Sequence, residues 1–206
     1  WIDEIMDQTV LEIRAAMKEG KLGEIETIYV GGGTPSFVGT KRLSSLFYAI
    51  STAVKLKPDT EFTMEANPES LTEAMVKDIF ALGVNRLSIG VQSFDDQILG
   101  LLGRAHDAAQ AEAAVKMAKQ RFENVSVDVI CGIPGQSLEQ LEATLRKVIE
   151  LDIQHVSIYP LSIEEHTKFD TWVIQGRIED IDEDQQAQHM ELAAEMLREA
   201  GFERYE

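Results

Sequence analysis

Stretches whose apolar residues recur at helical spacing alternate along the whole chain with short runs rich in β-branched residues. That order suits parallel strands joined by helical crossovers, because an antiparallel sheet needs only tight turns between its strands. The spacing predicts helices over Ile2–Glu19, Thr40–Leu56, Leu71–Leu82, Asp95–Leu102, Ala108–Phe122, Leu138–Glu150 and Glu183–Ala200. It predicts strands over Glu24–Val30, Glu61–Ala66, Asn85–Val91, Val125–Cys131, His155–Tyr159 and Phe202–Tyr205. Gly20 and Gly83 stand where helices should stop, and Ser70 and Ser137 stand where helices should start. The whole of 1–206 reads as a single domain with no low-complexity linker.

The strands carry a second pattern. Parallel strands covered by helices on both faces read as continuous apolar runs, yet these alternate. In "NRLSIGVQS", Leu87, Ile89 and Val91 share one face while Arg86, Ser88, Gly90 and Gln92 share the other. In "EFTMEANP", Phe62, Met64 and Ala66 oppose Glu61, Thr63, Glu65 and Asn67, and in "VSVDVICG" Ser126 and Asp128 oppose the valines. With the apolar faces under helices, the polar faces need partners of their own. The expected solution is a wide or open (β/α) barrel that binds a polar ligand toward the carboxyl ends of its strands.

One such end reads "TIYVGGGTPS". Three consecutive glycines cost conformational entropy, so they belong where the backbone needs positive φ or where a ligand packs on bare peptide groups. Neither a phosphate-loop nor a dinucleotide fingerprint is present, and a purely structural turn would also use this pattern. The formal charge of −17 disfavours nucleic acid as a partner. No apolar run is long enough for a transmembrane segment and the amino-terminal stretch is acidic rather than signal-like, so a cytoplasmic location is expected. The lone Cys131 supplies neither an internal disulfide nor a cysteine-based metal site, and reads as a buried strand residue. His106, His155, His166 and His189 show no metal-ligand spacing, so no metal site is expected in the chain.

Five segments in order, "YVGGGTPS", "FTMEANPESLT", "GVNRLSIGVQSFDDQILGLLGRAH", "VDVICGIPGQS" and "HVSIYPLSIEEHTKF", resemble the radical S-adenosylmethionine (SAM) proteins of the oxygen-independent coproporphyrinogen III oxidase group, HemN and HemW. The E-A-N-P, "GVQSF" and "GRAH" forms are closer to the haem-chaperone branch, HemW. The resemblance implies an α/β fold, an incomplete (β/α) TIM-type barrel lacking its first strand, and a core fragment truncated at both ends. The family's C-x3-C-x2-C loop, which holds a [4Fe–4S] cluster, has no counterpart in these residues. The implied cofactors are SAM, the cluster through ligands outside this chain, and haem.

Carried over position by position, the resemblance implies that Gly32, Gly33 and Thr34 meet the methionyl amino group of SAM. Glu65, Gln92, Arg104 and Asp128 would surround its carboxylate, ribose and sulfonium, with Ser162 a further candidate near the adenine. The chemistry is compatible: Arg104 suits a carboxylate, and Asp128 suits two ribose hydroxyls. No catalytic side chain is assigned. The implied function is a HemW-like haem chaperone or haem-delivery protein with haem-accepting protein partners. The alternative is an oxidase that decarboxylates the propionates of coproporphyrinogen III to give protoporphyrinogen IX.

Overall fold

In the computed structural model, which describes residues 1–205, the elements run in the expected order. They are α1 (Ile2–Lys18), β1 (Glu24–Val30), α2 (Pro35–Val38), α3 (Thr40–Ala53), β2 (Lys55–Ala66), α4 (Glu73–Ala81), β3 (Arg86–Gln92) and α5 (Asp96–Leu101). There follow α6 (Ala108–Lys119), β4 (Asn124–Cys131), α7 (Leu138–Glu150), β5 (His155–Pro160), α8 (Lys168–Ile174) and α9 (Glu183–Glu199). The sheet holds its strands in chain order, β1-β2-β3-β4-β5, and the β1–β2, β2–β3 and β4–β5 pairs are parallel. The chain forms two compact units: Trp1–Ile89 with Lys116–Val125, and Gly90–Val115 with the residues from Ser126 onward.

The first unit is built on β1 and β2. Pairing of Glu24 with Lys55 and Ile25 with Leu56 draws the latter two out of the helix predicted through Leu56, which ends at Ala53. The register then shifts, so that Thr27 meets Glu61 and Val30 meets Met64. The apolar strand faces form the core as the alternation required: Met64, Leu87 and Ile89 are fully buried, with Phe47 edge-on to Phe62 and Phe80 edge-on to Phe122. Asn85 ties β2 to the start of β3 by accepting from the Phe62 amide at 2.8 Å and donating to the Thr60 carbonyl at 2.9 Å.

The cap of α4 differs from the expectation. Thr72, not Ser70, accepts from the Met75 amide, while the Ser70 hydroxyl donates to the Asn67 carbonyl and leaves Pro68–Ser70 as a single 3-10 turn. Both residues can cap, and the helix follows the one whose next residues continue an apolar stripe through Val76 and Ile79.

In the second unit Ser137 does start α7, with a full capping box: its hydroxyl accepts from the Gln140 amide and the Gln140 side chain accepts from the Ser137 amide. α9 is fastened to the end of β4 by two side chains. Gln186 donates to the carbonyls of Gly132 and Leu161, and the buried His189 accepts the Gly132 amide on Nδ1 at 3.0 Å. The sixth strand, expected at Phe202–Tyr205, is absent, since a strand exists only by ladder pairing and this segment makes none. The Tyr205 hydroxyl instead bonds His155 Nε2 at 2.6 Å, while His155 Nδ1 bonds Ser126.

Candidate functional site

In the first unit, the carboxyl ends of β1 and β2 set a glycine turn beside an acidic side chain. The Glu65 carboxylate takes one donor on each oxygen: the Tyr29 hydroxyl on Oε1 at 2.7 Å and the Gly32 amide on Oε2 at 3.1 Å. The three glycines have different reasons. A Cβ on Gly31 would lie 2.7 Å from the Tyr29 ring and 2.8 Å from the Glu65 carboxyl, so the close approach is to the protein's own side chains. Gly32 and Gly33 have φ of 80° and 65°, the left-handed region, and a Cβ on either would point into open space. Their peptide groups therefore border room that side chains would occupy.

Thr34 follows at the start of α2, where its hydroxyl accepts from the Asn67 side chain at 3.1 Å. Ser36 accepts the Asn67 amide and shares a hydrogen bond with Ser70, so the glycine turn is latched to the segment after β2. Gly32, Gly33, Thr34 and Glu65 thus lie together. Tyr29 was not among the residues singled out from the sequence. Its place on the face of Glu65 comes from strand register, in which it pairs with Thr63, and register is not written in the motif.

In the second unit, Gln92 ends β3 with φ of 67°, a conformation uncommon for a non-glycine residue and found where the surroundings impose it. It is 7% exposed, and its side-chain oxygen accepts from the Tyr159 hydroxyl at 3.3 Å. Arg104, just beyond α5, donates to the Gly90 carbonyl at 3.2 Å. His106 is held at the Val91 carbonyl, so two side chains of the "GRAH" segment clasp the end of β3. Asp128 is half-buried in the middle of β4, in register with Ser157 of β5. Ser162 is exposed and donates to Glu164 at 2.9 Å, a local loop bond. Among the described residues, no group of three or more His, Cys, Asp or Glu side chains is arranged to hold a metal ion. Burial pushes the Cys131 thiol up to about 11, and its sulfur faces the Met190 thioether.

The first unit thus presents a fixed carboxylate beside open peptide groups, and the second an anchored guanidinium and a half-buried carboxyl. The radical SAM superfamily pattern matches residues 3–148 of this chain. Among curated proteins, the heme chaperone HemW of Bacillus subtilis is 33% identical over 207 residues, taking in 100% of this chain and 55% of that protein. HemW of Lactococcus lactis is 36% identical over 198 residues, 94% of this chain and 52% of that protein. The bovine mitochondrial radical S-adenosyl methionine domain-containing protein 1 is 37% identical over 198 residues, 96% and 45% respectively. Among solved structures, the coproporphyrinogen III oxidase HemN of Escherichia coli, a radical SAM enzyme, superposes with a TM-score of 0.84 at 24% identity, over 98% of this chain and 46% of that one.

The chain belongs to the radical SAM superfamily, and within it to the HemN/HemW group. Its fold is the α/β, radical SAM (β/α) barrel class, to which the described residues contribute five strands. It spans about half the length of the curated relatives it matches. Membership implies SAM and a [4Fe–4S] cluster as cofactors. Among the described residues no helix is long and apolar enough to cross a membrane.

Proposed function

We propose that this chain is a single SAM-binding domain, 1–206, of a HemW-like haem chaperone that delivers haem to acceptor proteins. The haem part of the reading rests on the relatives, several of which are named heme chaperone HemW at 32–37% identity. The likeness to the oxidase HemN lies at 24% identity and speaks for the fold, which leaves coproporphyrinogen oxidation as the lesser reading. A cytoplasmic location goes with this proposal.

The observation that carries SAM binding is the Glu65 carboxylate, immobilised by two donors beside the open peptide faces of Gly32 and Gly33. Each of its oxygens keeps a lone pair for the ammonium of SAM. Thr34 borders the same turn. Arg104, anchored on the Gly90 carbonyl, would pair with the SAM carboxylate, Asp128 would accept from the ribose, and Gln92 and Ser162 would complete the contacts. When bound, SAM and the cluster supply one-electron chemistry, and the chain's own residues orient the ligand and exclude water. The cluster's thiolates would come from outside these 206 residues, which contain one cysteine.

In the full-length protein, Asp128→Ala and Arg104→Ala should each weaken SAM binding by about 1–3 kcal/mol, read by equilibrium dialysis. Unchanged affinity in both variants would remove the site. Haem titration of the same protein, set against an anaerobic assay with coproporphyrinogen III, separates the chaperone from the oxidase: stoichiometric haem binding without decarboxylation is the expected result.

A further inference from the structure

We infer that Tyr29 is a positioning residue for Glu65, fixing the direction in which that carboxylate meets the ammonium of SAM; the inference rests on the SAM-binding reading given above. Tyr29 pairs with Thr63 across the β1–β2 ladder, which puts its side chain on the same face as Glu65, two residues further along β2. From there the ring crosses Gly31, where no Cβ fits, and the hydroxyl reaches Glu65 Oε1 at 2.7 Å. The Gly32 amide holds Oε2 at 3.1 Å. Two donors on two different oxygens define the plane of the carboxyl group, which one donor alone would leave free to rotate.

A packing role accounts poorly for this tyrosine. It is 60% exposed, so the ring contributes little to the core, while its hydroxyl is bonded to Glu65. Gly31 then has a functional reason beyond backbone freedom, since it leaves the gap through which the phenol reaches the acid.

The test uses the full-length, cluster-loaded protein and two ligands. One is SAM; the other is 5′-methylthioadenosine, which keeps the nucleoside and lacks the aminoacyl end. Equilibrium dialysis of Tyr29→Phe should show SAM affinity down about tenfold, with the affinity for methylthioadenosine unchanged. On a Glu65→Gln background the same substitution should have no further effect, because the group it positions has lost its charge. The inference is overturned if Tyr29→Phe leaves SAM affinity intact while Glu65→Gln weakens it, or if it weakens both ligands alike. If Glu65→Gln itself leaves SAM affinity intact, the SAM reading of Glu65 falls, and the inference with it.

Discussion

His189 shows how one proton is tied to the fold. With Nδ1 accepting the Gly132 amide, the ring must be neutral, and burial at 1% exposure holds its pKa below the ordinary value of 6.5. The unfolded chain therefore takes up a proton that the folded chain refuses. The stability this ring contributes is complete above pH 6.5 and is lost as the pH falls below it toward the lowered folded value. Urea midpoints measured from pH 7.5 down to 5.5, round values either side of a histidine's ordinary range, should decline, and His189→Leu should flatten the decline. Cys131 belongs to the same scale. A buried thiol pushed up to about 11 has little thiolate at neutral pH, so iodoacetamide should label it only after denaturant is added.

Among the elements, α7 is the one whose start was plainest in the sequence, because a capping box is written in four consecutive residues. Ser137→Ala should lower stability by about 1 kcal/mol in chemical denaturation, without altering SAM binding. Local signals of this kind located most helices and strands within a residue or two. They failed where a distant partner decided the outcome: Lys55 and Leu56 became strand because β1 lay beside them, and Phe202–Tyr205 stayed out of the sheet for want of a ladder. The start of α4 fell on Thr72 rather than on the expected Ser70, because the apolar stripe through Val76 and Ile79 follows Thr72. α2 and α8 are too short to show a helical period, although Thr167 does cap the latter. The candidate site could be named from the sequence only as motif positions, whereas the Tyr29–Glu65 bond depends on strand register and on a gap at Gly31 that no propensity encodes.

For the whole molecule, the chemistry that the family performs depends on thiolates that these 206 residues do not contain, since Cys131 is single and fully buried. Supplied with iron and sulfide under anaerobic, reducing conditions, this chain by itself should develop no cluster absorbance near the visible bands typical of [4Fe–4S] proteins; a brown product would refute this. The left-handed backbone at Gln92 has a consequence for how such a molecule could be improved or worn down. Glycine would adopt that conformation without the roughly 1–2 kcal/mol that a side chain incurs there, and would give up the oxygen that Tyr159 reaches. A library screened for heat resistance alone should therefore drift toward glycine at position 92, while one screened for ligand retention should keep glutamine. The two selections would part company at a residue whose cost to the fold is visible in a single torsion angle.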